Sequence, residues 1–289
     1  MEQDLPLNKQ NKRKYPPICK EKYTLLLKFI FSIVLFTGLN ANDCPAQITY
    51  KMQTKSFDYD VLNSFPQKVI SMESKDSIYH ITLQIYAVGV DSAIWEIIEK
   101  DRIDSDTSYP PEISPFLQPT TLIDHRLSEI KYIADTLFKD EKNTLELIQK
   151  GLKFASSYIT TFDDSLAKEI DKGTCPTLDI STILKNKKGT CSEFTNLYIA
   201  LMREQGIPCR FITGYVSYPP QNISGTHAWA ECYIRKIGWL PVDPQSGELA
   251  YPIQIKLFAG KDYKDCNIKL LKDIEPLSIE IIDNKYPFN

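Results

Sequence analysis

Lys188-Gly-Thr-Cys191-Ser-Glu-Phe-Thr-Asn-Leu-Tyr-Ile-Ala-Leu-Met202 is the stretch around which the rest of the chain can be read. Phe194, Leu197, Tyr198, Leu201 and Met202 recur at the i, i+3, i+4, i+7, i+8 spacing of a helix with one buried face. Thr190, followed three residues later by Glu193, forms a capping-box signature, so Thr190 is the expected N-cap and Cys191 the first helical residue. A thiol there lies among unpaired backbone N–H groups at the positive end of the helix dipole, which favours the thiolate. The other chemistry-bearing residues are then judged by what they supply to that sulfur.

At 289 residues the chain is long enough for one large domain or two smaller ones. Hydrophobic content of 43 % and charged content of 25 % exclude a disordered or fibrous chain. The first 46 residues read differently from the rest. Lys9, Lys12, Arg13, Lys14, Lys20 and Lys22 precede a mainly apolar run from Leu25 to Leu39, interrupted by Lys28. Its unbroken part, Phe29 to Leu39, has 11 residues against the roughly 20 of a membrane-spanning helix. With small residues following at Ala41 and Ala46, residues 1–46 are expected to be a secretory signal peptide, and the protein to be secreted or periplasmic. The alternative is an uncleaved signal that anchors the chain in the membrane through residues 23–39.

Cleavage would remove seven basic and four acidic side chains, leaving 27 against 33 and a net charge of −6. No basic stripe survives, which argues against nucleic acid as a partner. Five cysteines lie beyond residue 46: Cys175, Cys191, Cys209, Cys232 and Cys266. In an exported chain an odd count suggests one thiol left free. Two disulfides beside a reactive Cys191 fit the count, and so do five buried thiols.

Residues 47–120 are expected to form a small β-rich region ending in a connector. Tyr79, Ile81, Leu83 and Ile85 alternate with His80, Thr82, Gln84 and Tyr86, the pattern of a half-buried strand with His80 on its solvated face. A short helix follows through Ile94, Trp95 and Ile98. Pro110, Pro111, Pro115 and Pro119 then rule out helix or central strand and mark the expected domain boundary. His125 lies just beyond, as surface chemistry at a helix start.

Residues 121–289 are expected to form the second domain. Leu127, Ile130, Ile133, Ala134, Leu137 and Phe138 give one amphipathic stripe, and Leu145, Ile148, Leu152, Ala155 and Ile159 give another. A loop over residues 171–176 follows, and Asp179 caps a short helix that the run Lys185-Asn-Lys-Lys-Gly189 closes with cations and a glycine stop. Strands are expected over 209–218, 226–234 and 238–243, with further short ones over 253–258, 267–271 and 277–282. Helices first and strands afterwards give an α+β fold, with the cysteine helix packed on a mostly antiparallel sheet.

A cysteine nucleophile needs a base for its proton and a group that orients the base. Of three histidines, only His227 lies downstream of Cys191, in Gly-Thr-His227-Ala-Trp-Ala-Glu-Cys-Tyr. Asp243 follows sixteen residues later at the end of the next strand. In a hairpin that sets odd residues opposite odd ones, the two share a face and an end of the sheet. A carboxylate there fixes the imidazole tautomer and stabilises imidazolium. Each residue also has a structural reading: a buried thiol, a strand histidine and a turn-starting aspartate.

The combination resembles the transglutaminase-like superfamily in its bacterial, papain-like form. The blocks Gly189-Thr-Cys191-Ser-Glu-Phe, Gly206-Ile-Pro-Cys-Arg210 with Gly214-Tyr215, His227-Ala-Trp229-Ala-Glu231 and Gly238-Trp239-Leu-Pro-Val-Asp243-Pro stand in order over about residues 140–250. The resemblance implies Cys191 as nucleophile, His227 as base and acid, and Asp243 as orienter. Trp229, Tyr215 and Trp239 would wall the cleft or serve as core aromatics. Cys209 and Cys232 stand where the bacterial pattern carries small aliphatic residues, either as a disulfide or as buried thiols. Neither metal nor other cofactor is implied. The expected activity is hydrolysis of peptide or amide bonds in a protein or peptide substrate through a thioester. Cross-linking by transamidation at glutamine is the alternative within the chemistry, and a catalytically silent binding or scaffold module is the alternative outside it.

Overall fold

A computed structural model describes residues 46–286, apart from 89–91, 105–106, 173–176, 219–222, 267 and 269–273. The expected signal segment lies outside the described residues, as do Cys175 and nearly all of the strand expected over 267–271. In chain order the elements are β1 (Gln47–Thr54), α1 (Tyr59–Leu62), β2 (Gln67–Lys75), β3 (Ile78–Tyr86), α2 (Ser92–Lys100), α3 (Ser128–Leu137), α4 (Thr144–Tyr158), β4 (Thr161–Phe162), α5 (Asp164–Asp171), α6 (Ile180–Asn186), β5 (Lys188–Gly189), α7 (Cys191–Glu204), β6 (Cys209–Tyr218), β7 (Ile223–Ile234), β8 (Gly238–Asp243), β9 (Glu248–Leu249), β10 (Gln254–Gly260) and β11 (Ser278–Asn284). This is the α+β architecture that the pattern of helices and strands predicts.

Three layers result. The central one is a five-stranded sheet in the order β10-β6-β7-β8-β9, with every pairing antiparallel. Ala228, Ala230, Cys232 and Ile234 alternate onto one face of β7, where α3, α4, α6 and α7 cover them in the main core. Eleven of the fourteen α7 residues have no more than 5 % exposure, so the helix is enclosed on nearly all sides rather than along one stripe. That enclosure needs small partners. A Cβ on Gly151 of α4 would lie 2.5 Å from Met202 Cε, and the glycine is what lets the two helices approach.

The other face of β7 carries His227, Trp229 and Glu231, and a second sheet of order β11-β1-β3-β2 backs it. Ile48, Tyr50 and Met52 of β1 and Ile81, Leu83 and Ile85 of β3 are all at or below 2 % exposure. The alternation read over 78–86 is therefore real, and His80 is exposed as expected. Buried polar bonds join the sheets: Tyr50 Oη donates to the Ser217 carbonyl at 2.9 Å, and Gln67 Nε2 to the Lys256 carbonyl at 3.1 Å. Glu231 is fully buried and takes Arg210 Nε at 2.7 Å and Lys256 Nζ at 2.8 Å, while Lys256 Nζ also reaches the Phe65 carbonyl at 2.7 Å. Burial pulls the Lys256 ammonium down to about 8 although Glu231 supports it.

Several expectations need correction. The β-rich region before residue 120 shares its sheet with a strand from the far end of the chain, which the sequence reading did not assign to it: β1 is held between β3 and β11. The proline connector contains a 3₁₀ turn at Ser114–Leu117, with Pro115 early in the turn where no N–H is needed. His125 is half-buried rather than a surface group, with Nδ1 out of reach of any described partner. The stop after α6 is Lys187, in the left-handed region at φ 51°, and Gly189 belongs to β5. α5 was not expected at all. It starts at Asp163, whose carboxylate takes the Ser165 and Leu166 N–H groups.

Candidate active site

The start of α7 is set by Glu193. Its Oε2 accepts from the Thr190 N–H at 2.7 Å and from the Thr190 hydroxyl at 2.8 Å, and its Oε1 accepts from the Leu178 N–H at 2.9 Å. The side chain is fully buried, and burial raises its pKa against the pull of these donors. Gly189 makes room for it: a Cβ there would lie 2.2 Å from Glu193 Cβ. The capping box thus fixes the turn before Cys191 as well as the helix end.

One turn later, Thr195 Oγ1 lies 2.8 Å from the Cys191 carbonyl and 3.3 Å from the Ala228 carbonyl. This hydroxyl ties the cysteine turn to the residue after His227, and nothing in the sequence pattern pointed to it. Cys191 is half-buried and Cys209, Cys232 and Cys266 are buried, and all four are free thiols.

β7 and β8 pair Glu231 with Pro241 and Tyr233 with Trp239, so odd residues face odd across this hairpin. His227 and Asp243 accordingly share a face, and His227 Nε2 lies 2.9 Å from Asp243 Oδ2. The Cys191 side chain also lies close enough to the imidazole to raise its pKa. With Nε2 committed to the carboxylate, Nδ1 is the nitrogen left to take the thiol proton. Burial opposes a charge on His227, but the Asp243 carboxylate, its hydrogen bond and the nearby Cys191 side chain outweigh it and hold the pKa well above the ordinary value. Burial likewise opposes the Asp243 charge, and His227 with the Ser246 and Gln245 N–H groups keeps that carboxyl below its ordinary range. Asp243 Oδ1 takes Gln245 N–H at 3.0 Å and Ser246 N–H at 3.4 Å, and Oδ2 takes Gln254 Nε2 at 3.1 Å as well as His227.

The three aromatics have different places. Trp229, at 1 % exposure, stacks beneath His227 with ring centroids 6.0 Å apart and planes 25° apart. It supports the imidazole from the core side. Gly214 has to be glycine because a Cβ would fall 2.6 Å from that indole and 2.0 Å from the Ile255 carbonyl. Tyr215 is half-buried beside it, paired with Thr226 and Ile255. Trp239 is not a cleft wall. It sits four residues before Asp243, roughly 13 Å along the strand, and packs on Phe116, Tyr233 and the Arg210 guanidinium.

Residues 131–244 match the transglutaminase-like superfamily. The chain carries a transglutaminase-like domain. Among solved structures, a candidate cysteine protease from Cytophaga hutchinsonii aligns with a TM-score of 0.53 and 17 % identity, covering 83 % of this chain and 91 % of that one. The periplasmic domain of TgpA from Pseudomonas aeruginosa aligns over 70 % of each chain with a TM-score of 0.43 and 14 % identity. Among curated proteins, Rv2569c of Mycobacterium tuberculosis is 29 % identical over 97 residues, which is 30 % of this chain and 31 % of that protein. YebA of Bacillus subtilis is 26 % identical over 153 residues, 47 % of this chain and 19 % of that protein. The chain thus matches less than a third of the length of these curated relatives.

Among the described residues there is no group of three His, Cys, Asp or Glu side chains that could hold a metal ion, and no helix long and apolar enough to cross a membrane. What the site brings together is a thiol at a helix start, an imidazole near it, and a buried carboxylate hydrogen-bonded to the imidazole.

Proposed function

We propose that this protein is an exported cysteine-dependent acyl-transfer enzyme that hydrolyses peptide or amide bonds of a protein or peptide substrate. The observation that carries the reading is His227 Nε2 on Asp243 Oδ2 at 2.9 Å, with the Cys191 side chain close enough to the same imidazole to raise its pKa. The Cys191 sulfur attacks the substrate carbonyl, and His227 holds the thiol proton as imidazolium beside the ionised Asp243. Glu193 and Phe194 turn their N–H groups back to the Thr190 carbonyl. As the first two helical residues, Cys191 and Ser192 have no intrahelical acceptor, and their N–H groups are the donors for the tetrahedral oxyanion. His227 then protonates the departing amine, leaving a thioester on Cys191. Water, deprotonated by His227, attacks the thioester and frees the acid. A primary amine in place of water gives transamidation with the same residues.

A peptide library incubated with the enzyme, with and without a primary amine, tests this by mass spectrometry. Cleaved peptides are the expected outcome. Amine adducts on glutamine would assign transamidation instead, and an unchanged library under both conditions would leave the fold as a binding module.

A further inference from the structure

We propose that Gln254 is a positioning residue for the catalytic carboxylate, a fourth member of the relay behind Cys191; the inference rests on the triad reading. From β9 at one edge of the central sheet, the chain passes to the far side and enters β10 at Gln254. That crossing brings a side chain from the wrong end of the strand order onto Asp243. Gln254 is 6 % exposed, and its Nε2 donates to Asp243 Oδ2 at 3.1 Å, the same oxygen that holds His227.

The amide cannot be turned round. Its Oε1 accepts from the Tyr251 N–H at 2.7 Å, and the Gln254 N–H closes the same turn on the Tyr251 carbonyl at 3.0 Å. A flipped amide would set N–H against N–H at Tyr251 and a carbonyl against the carboxylate at Asp243. The side chain is therefore fixed as a donor towards the acid.

The backbone donors of Gln245 and Ser246 hold only Oδ1. They leave the carboxylate free to pivot about that atom. Gln254 removes the remaining freedom, so Oδ2 presents itself to His227 Nε2 without searching. It also favours the ionised acid, because a hydrogen bond donated to a carboxylate stabilises its charged form. Both effects act on His227, and through it on the sulfur.

The test is the pH profile of Cys191 alkylation by iodoacetamide, read on the full chain by peptide mapping for wild type, Gln254→Glu, Gln254→Met and His227→Ala. Gln254→Glu keeps an acceptor for the Tyr251 N–H and nearly the same volume. Its carboxylate opposes Asp243, whereas its protonated form donates as the amide does. The rate of Gln254→Glu relative to wild type should therefore climb as pH falls through the glutamate titration, by about tenfold. Gln254→Met supplies no donor at any pH, and the acid limb of its profile should lie about one pH unit higher than in wild type. Parallel profiles for Gln254→Glu and wild type, with His227→Ala slowed, would overturn the role of Gln254 and leave the triad standing. If His227→Ala itself labels like wild type, the triad reading is what fails.

Discussion

Replacing Gly189 with alanine isolates the steric role of one missing side chain. Gly189 is not among the residues with positive φ, so alanine is free of backbone strain and adds only volume. The new Cβ would sit 2.2 Å from Glu193 Cβ and 2.7 Å from its Cγ, inside any tolerable contact. Glu193 would have to leave, and with it the bonds to the Thr190 N–H, the Thr190 hydroxyl and the Leu178 N–H. Overpacking of a dense interior costs about 1–3 kcal/mol. Loss of a helix cap adds about 1 kcal/mol. A buried donor left at the Thr190 N–H adds about 1–3 kcal/mol more. Taken together, about 3–7 kcal/mol is expected, and a midpoint lowered by roughly 6–28 °C in a protein of this size. Thermal melts followed by circular dichroism read the stability, and iodoacetamide labelling reads the position of Cys191. A Gly189→Ala protein melting within about 2 °C of wild type, with unchanged labelling, would refute the account of how the cysteine turn is built.

At pH 6, Cys191 should react with iodoacetamide ahead of Cys209, Cys232 and Cys266, whose burial protects them, and His227→Ala should remove that lead; peptide mapping reads both. The His227–Asp243 pair should stabilise the fold most between the ordinary carboxyl and imidazole values, about 3.9 and 6.5. Asp243 has a lowered pKa, so its contribution is lost as pH falls below that window, and His227 has a raised one, so its contribution is lost as pH rises through its folded value. The midpoint difference between wild type and His227→Ala, measured across pH, should therefore peak inside the window. Lys256→Met leaves Glu231 with Arg210 alone in a buried site, and should cost about 3–5 kcal/mol in urea unfolding. A cost under about 1 kcal/mol would mean that the lysine adds nothing to the junction of the two sheets.

What the sequence made legible was local. The apolar spacing from Phe194 to Met202, the Thr190–Glu193 box and the strand alternation at 226–234 all act within a few residues, and the helix and both hairpin strands appear within three residues of their expected bounds. The pairing of His227 with Asp243 needed only the parity of a hairpin register, and β7 and β8 have that parity. Contacts between distant segments left no such trace. β11 meets β1 across more than two hundred residues, and no period in either strand announces it. Gln254 is one polar residue opening a strand, without spacing to link it to Asp243 eleven residues earlier. Trp239 carried a misleading signal, because proximity to Asp243 in sequence becomes distance along an extended strand. Gly189 could be read as a helix stop because a glycine after a run of lysines usually is one, and only the packing of Glu193 against it gives the steric reason.

The pairing of β1 with β11 also orders events in time. Cys191, His227, Asp243 and Gln254 are all translated before residue 278, yet the sheet that backs His227 and Trp229 keeps an open edge until β11 arrives. A growing chain therefore holds every reactive group, and three strands of the sheet behind them, before that sheet gains its fourth strand. The sheet behind the reactive groups is complete only once β11 has been made, so their full support comes late in synthesis.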